Sequence, residues 1–339
     1  MQTPNPLDPV ALTQALCAID STTGREGECG TLIAHILEGL GLEVEQQPVE
    51  SGRFNVIART DARPEVVLST HFDTVPPYVP VREEGGVLYG RGVSDAKGIL
   101  ACEIAAAARL LEAGERRIGL LFTVDEEASS AGAKVANGHP LAREVRYLIN
   151  GEPTDGIPAS GTKGSLRVRL SATGQAAHSA YPEAGHSALH ALLDVLAEMR
   201  ATDWPTDPHF GETTINVGML HGGVAANVLA PAAEALLQIR LVTPPREVIA
   251  RIEGIAAGRC TVEVLTESDP IRLHVPEGWP SHVMRYVTDV PYLSNWGTPL
   301  LFGPGSILVA HTDDERIATA ELHEAADAYV RLVQTLLAS

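Results

Sequence analysis

Apolar residues recur at helical spacing in two N-terminal stretches, Leu7 to Ile19 and Glu28 to Leu40, and Gly39 and Gly41 stand where the second helix should stop. Short apolar and β-branched runs follow at Asn55–Arg59, Val66–Thr70, Ile118–Val124 and Tyr147–Asn150. Between the second and third of these lies an Ala-rich segment, Ile99 to Leu111. Glu103 and Arg109 interrupt it, which predicts a buried helix and not a membrane span. Apolar strands separated by helices predict an α/β sheet covered on both faces. Polar residues follow the strands: His71 after VVLST, Asp125 after GLLFTV, Glu152 after YLIN. In open α/β sheets, sites gather beyond the carboxyl ends of the strands, so this placement suits chemistry.

From about Gly164 the pattern changes. Ser165–Thr173 alternates as a strand, Gly185–Met199 is an amphipathic helix, and Thr213–Gly218 and Ala233–Val242 read as strands. Arg246–Ala257 predicts a helix and Cys260–Glu267 a last strand. This β-α-β-β-α-β order is that of the ferredoxin-like unit, and nothing repeats internally. Leu300–Phe302, the GPGS segment and a closing helix, Thr319 to Leu337, return to α/β character. The expected organisation is a core domain of residues 1–162 and 272–339, interrupted by an inserted α+β domain of residues 163–271.

Composition narrows the function classes. The 339 residues are 45% hydrophobic and 20% charged, as in a soluble globular enzyme. A net charge of −18 without any basic run argues against a nucleic-acid partner, since phosphate binding needs clustered Lys and Arg. No apolar stretch reaches the roughly 18 residues of a membrane span, and Met1 to Asp20 lacks the basic and apolar regions of a signal peptide. Cys17, Cys29, Cys102 and Cys260 form no CxxC pair. Free thiols in a reducing, cytoplasmic setting are therefore expected.

The candidate chemical residues are ambiguous one at a time. His71 and Asp73 sit two apart in HFDTV, after a strand, where an acid can orient a metal-binding imidazole or simply occupy a turn. Asp95, in GRGVSDAKG, opens a helix and reads as a cap as readily as a ligand. The segment has neither GxxxxGK[ST] nor GxGxxG, which disfavours phosphate binding. Glu126 and Glu127 follow Asp125; in extended chain their side chains would point opposite ways, one to a metal and one to water. Glu152 in NGEPTD, His311 in GPGSILVAHTDDE and His178 in GQAAHSAYPEAGHSA are each compatible with a plain surface role. Taken together, histidines and carboxylates at strand ends suit divalent ions, with zinc favoured by the imidazoles. HExxH, GxSxG and a Cys–His nucleophile motif are all missing.

The order and context of HFDTV, GRGVSDAKG, DEE, GEPT, AHSAYPEAG and GPGSI with AH and DE resemble the M20 family of metallopeptidases and deacylases, over nearly the whole chain. The resemblance implies a three-layer core with a mixed sheet and a dinuclear metal site, and an inserted domain serving as lid and dimerisation domain. It makes Asp95 the bridging ligand, with His71 and Glu152 on one metal and Glu127 and His311 on the other. Glu126 would be the general base, Asp73 the residue behind His71, and His178 the group that, in dimeric members, polarises the scissile carbonyl in the partner's site. Asn227, Arg240, Gly305 and Ser306 match positions near the substrate's carboxylate or carbonyl, although Gln238 stands where family strands commonly place Asp. Two divalent ions per subunit, zinc first with cobalt or manganese as alternatives, and a homodimer are implied.

The leading expectation is a deacylase of a small N-acyl amino acid, with acetylornithine, acetyl-lysine, acetylcitrulline and succinyl-diaminopimelate all open as substrates and arginine biosynthesis as an expected setting. The alternative is a dinuclear dipeptidase or aminopeptidase. A non-catalytic binding protein is disfavoured, because competent residues fill every ligand position and the base.

Overall fold

Residues 4–339 are described by a computed structural model. In chain order the main elements are α1 (Pro9–Cys17), α2 (Gly27–Gly39), β1 (Glu43–Glu50), β2 (Arg53–Arg59), β3 (Val66–His71), α3 (Lys97–Glu112), β4 (Ile118–Thr123), α4 (Ala131–Ala136) and β5 (Tyr147–Asn150). They continue with β6 (Gly164–Thr173), α5 (Ala188–Ala201), β7 (Thr214–Gly222), β8 (Ala232–Leu241), α6 (Pro245–Ala256), β9 (Thr261–Ser268), β10 (Thr298–Leu301) and α7 (Thr319–Ala338).

The chain divides into two compact units: the chain up to Ser160 with Leu273–His282 and Thr288–Ser339, and Gly161–Arg272 with Val283–Val287. Compared with the expected insert of residues 163–271, the second unit starts two residues earlier, ends one later and adds the short stretch Val283–Val287. Its Met284 carbonyl accepts a hydrogen bond from the Lys163 amide, which ties it to the second unit.

In the first unit six strands lie in the order β1-β2-β4-β3-β5-β10. The strands β4, β3, β5 and β10 are parallel, and β1 and β2 add an antiparallel edge, so the sheet is mixed. Alternation along the central strands sends side chains to opposite faces. Val66, Leu68, Leu120, Phe122 and Ile149 join the core under α1, α2, α3 and α7. Val67, Leu121 and Leu148 face the other way, toward α4, Leu141 and Trp296. This two-faced burial makes three layers, and each such fully buried side chain contributes about 1.5–3 kcal/mol of transfer free energy. In α3 the run Ala105–Ala108 combines high helix propensity with small side chains, and the helix packs against α1 and α7. At Gly98 a Cβ would stand 2.0 Å from the Val93 carbonyl oxygen, so only glycine fits the bend that enters this helix.

The second unit has its four strands in the order β7-β8-β6-β9, all antiparallel. Leu166, Val168 and Leu170 of β6 and Leu237 and Ile239 of β8 bury against Leu192 and Val195 of α5 and Val248 and Ile252 of α6. The strand β7 is an edge whose residues from Asn216 to Gly222 are exposed. Among the described residues, no helix is long and apolar enough to cross a membrane.

Candidate metal centre

Four strands of the first sheet deliver the candidate residues to its carboxyl end. His71 is the last residue of β3, Glu126 and Glu127 follow β4, Glu152 follows β5, and His311 lies in the segment after β10. Asp95 comes from the loop before α3. Its Oδ1 is 3.1 Å from His71 Nε2 and its Oδ2 is 3.3 Å from His311 Nε2. The same His311 nitrogen is 2.9 Å from Glu127 Oε1. Donor atoms of His71, Asp95 and Glu127 all lie within 4.8 Å of one another. The two oxygens of one carboxylate thus face two different imidazoles.

Asp95 is not a helix cap. The N-cap of α3 is Ala96, with no side-chain bond, and the aspartate is turned to the histidines instead. Nor are Glu126 and Glu127 in extended chain. They occupy a turn that Asp125 enters with φ of 70°, and the Asp125 carbonyl collects the amides of Ala128, Ser129 and Ser130. Arg53 braces this turn by donating to Asp125 Oδ1 at 2.6 Å while forking onto both oxygens of the buried Glu26 at 2.6 and 2.9 Å. Asp73 departs from expectation in a smaller way. His71 Nδ1 is 3.0 Å from the Asp73 main-chain oxygen and 3.5 Å from its carboxylate. The carboxylate instead accepts the amides of Glu126 and Glu127 and the hydroxyl of Thr23.

The electrostatics are those of crowded negative charge. Burial, then the charge of Glu152, pushes the Glu126 carboxyl well above the usual range; burial does the same to Glu152 and raises Glu127. Asp95 moves the other way: burial would raise it, but hydrogen bonds to His311 and His71 outweigh that. Burial would likewise lower His71, yet Asp73 and Asp95 hold it well above its usual value. The carboxylates of Asp95 and Glu127 raise His311 to about 10. Glu152 is buried with Oε1 unpartnered. The clustered donors of His71, Asp95 and Glu127, with His311 Nε2 against Asp95 and Glu127, make a set that fits divalent cations, and Glu152 adds a buried, unpartnered carboxylate oxygen at the same end of the sheet.

Gly305 and Ser306 belong to the same unit. Gly305 has φ of 75°, and a Cβ there would stand 2.3 Å from Ser94 Oγ, so the GPGS segment passes directly over the residue before Asp95. The Gly305 carbonyl accepts the Asp155 amide, and Thr154 bridges to Ser306. His178, Asn227 and Arg240 belong to the second unit. There His178 is exposed and pairs with Val228, and the Asn227 carbonyl accepts the Ser179 amide. Arg240 is half-buried on β8.

Sequence reasoning did not single out Thr23, Arg53 or Asp289, and it met Glu315 only within the DE of the C-terminal motif, with no role attached. Asp289 is buried, accepts from Thr123 Oγ1 at 2.9 Å, and burial pushes its carboxyl up to about 6. The only signal it carried was an acid inside the otherwise apolar-leaning VTDVPYL.

Residues 67–335 match the sequence profile of Peptidase family M20/M25/M40. A probable carboxypeptidase of Aspergillus terreus is 38% identical over 95% of this chain and 85% of its own length. The crystal structure of aminopeptidase PepT from Bacillus cereus superposes with a TM-score of 0.81 at 20% identity, covering 99% of this chain and 100% of that one. A dinuclear metal-binding peptidase of Bacillus subtilis, also of the M20 family, gives a TM-score of 0.72 at 14% identity over 97% of this chain and 99% of that one.

Proposed function

The chain belongs to peptidase family M20/M25/M40, hydrolases of linear amide bonds, and on that premise we propose that it releases a free amino acid from the amine side of a small amide at a centre of two divalent ions. The observation that carries this reading is Asp95, whose two oxygens each face a different imidazole. In this reading Asp95 would serve both ions, with His71 and Glu152 holding one and Glu127 and His311 holding the other. Zinc suits the imidazoles best, and cobalt or manganese suit the same donors.

Bound there, the ions supply a more acidic water and a polarised substrate carbonyl. Glu126 takes the proton of the attacking water and returns it to the leaving nitrogen, a task favoured by the raised carboxyl that burial gives it. Asp73 holds the main chain of Glu126 and Glu127 in place. We assign His178 as the donor to the developing oxyanion, and Asn227, Arg240, Gly305 and Ser306 to the substrate's carboxylate. Arg240 suits an anion, since burial and then the charge of Arg167 disfavour its bare cation.

The carboxypeptidase name of the Aspergillus relative favours a peptide's C-terminal residue as the group released. A second reading, an N-acyl-amino-acid deacylase of the acetylornithine type, is favoured by GPGSI with AH and DE. Both leave an amino acid whose free carboxylate must be recognised. Small peptides, N-acetyl amino acids and the C-terminal amides of each, incubated with metal-loaded protein, test this. Cleavage confined to substrates with a free carboxylate is expected, and equal turnover of the amides would overturn the reading.

We further propose a homodimer through β7, an edge strand that exposes Val217, Met219 and Leu220. Light scattering after size exclusion should give twice the chain mass. A cytoplasmic setting suits four free cysteines, three of them buried.

A further inference from the structure

Glu315 stands four residues beyond His311 and is 1% exposed. Its Oε1 accepts the main-chain amides of Gly92 at 2.8 Å, Ser94 at 3.1 Å and Asp95 at 3.1 Å. Its Oε2 pairs with Arg91 Nη1 at 2.6 Å. That guanidinium, also buried, donates to the carbonyl of Thr312, the neighbour of His311, and the Glu315 carbonyl accepts the amide of Gly90. Converging amides of this kind form a cradle for an anion; here the chain supplies the anion itself. The acid therefore fastens the loop that ends in Asp95 to the segment that carries His311.

The two imidazoles are supported unequally. His71 is the buried end of a central strand and is also held by the Asp73 carbonyl. His311 lies in an irregular segment with φ of 63° and a side chain 47% exposed, and its ring Nε2 meets Asp95 and Glu127. Its distance from Asp95 depends on whatever joins their two segments.

We propose that Glu315 is a positioning residue that sets the spacing of Asp95 and His311, and so governs binding of the ion held by Glu127 and His311. The inference rests on the two-ion reading above. Glu315→Gln keeps the volume, but its single carbonyl oxygen cannot serve both the three amides and Arg91. Glu315→Asp keeps the charge but is one methylene too short to reach both.

Equilibrium dialysis against zinc, with the visible absorption of cobalt-loaded protein as a spectroscopic readout, tests the proposal on the full chain. Both variants should bind one ion with wild-type affinity and the second about 10–100-fold more weakly, with an altered cobalt spectrum at two equivalents. Glu315→Asp carries the test if Glu315→Gln does not fold. Two ions bound as in wild type, or both weakened equally as a purely structural role predicts, would overturn it. A wild-type chain that binds only one ion would instead overturn the two-ion reading, so the two failures are distinguishable.

Discussion

The main-chain amide of Glu126 donates to Oδ1 of Asp73 at 3.0 Å. With the Glu127 amide on Oδ2, one carboxylate holds two consecutive glutamates, while the carbonyl of the same residue faces His71 Nδ1. Asp73 thereby aligns groups from two strand ends. In Asp73→Asn one oxygen becomes an NH2 that cannot accept an amide proton. Catalytic rate and metal affinity should each fall about 10–100-fold, as read by steady-state hydrolysis and by competition with a chromophoric chelator. Wild-type values for both would remove Asp73 from the account.

Glu126 and Glu127 are joined by one peptide bond, and the proposed function gives them different jobs. Glu126→Gln should lower kcat by about 10²–10⁴-fold, the range for loss of a general base, with metal content unchanged by elemental analysis. A parallel loss of one ion would show that Glu126 is a ligand.

The brace under this turn is a matter of stability. Arg53 forks onto Glu26, whose side chain is fully buried, and also reaches Asp125. Arg53→Met leaves that buried carboxylate uncompensated, at a cost of about 3–5 kcal/mol. A urea melt should show the loss, together with weaker activity below the transition because Asp125 is released. An unchanged midpoint would contradict the bracing role.

Asp289 gives a pH signature in the metal-free protein. Burial lifts its carboxyl from the ordinary 3.8 to about 6, against the pull of hydrogen bonds from Ser130 and Thr123. Because the folded value is the higher one, the favourable contribution is present below 3.8 and is lost as pH rises through 6. Asp289→Asn removes that loss while keeping an acceptor for Thr123. Its urea midpoint should exceed wild type at pH 8 and converge with it below about pH 4. A variant less stable than wild type at pH 8 would show that the ionised form is the favoured one.

Much of this architecture was legible because burial wrote it into the periodicity. The doubled faces of Val66–Leu68 and Leu120–Phe122 read as continuous apolar strands, and the second unit's elements fall within a few residues of their expected places. The strand β1, EVEQQPVE, was not legible: it is a largely exposed edge that pairs with β2 and sends only Val44 and Val49 against the core. The candidate site residues were nameable from the motifs that carry the family resemblance, and the structure gathers His71, Asp95 and Glu127 within reach of one another. The supporting residues were not. Glu315 and Arg53 act through main-chain amides and buried ion pairs between segments far apart in sequence; nothing local distinguishes Arg53 from a surface charge, and Glu315, though part of the quoted DE, carries no local cue to the amides it accepts. Asp95 shows the same limit from the other side, since a helix cap and a metal ligand share one local sequence and only the positions of His71 and His311 separate them.

In the proposed function Asp95 would stand between two divalent ions on which hydrolysis depends. Chelator-treated protein titrated with zinc, while release of a free amino acid is followed, measures it directly. Activity should be absent in the metal-free chain and rise to a plateau at two ions per chain, and Asp95→Asn should fail to reach it. Full hydrolysis by the metal-free protein would contradict the account.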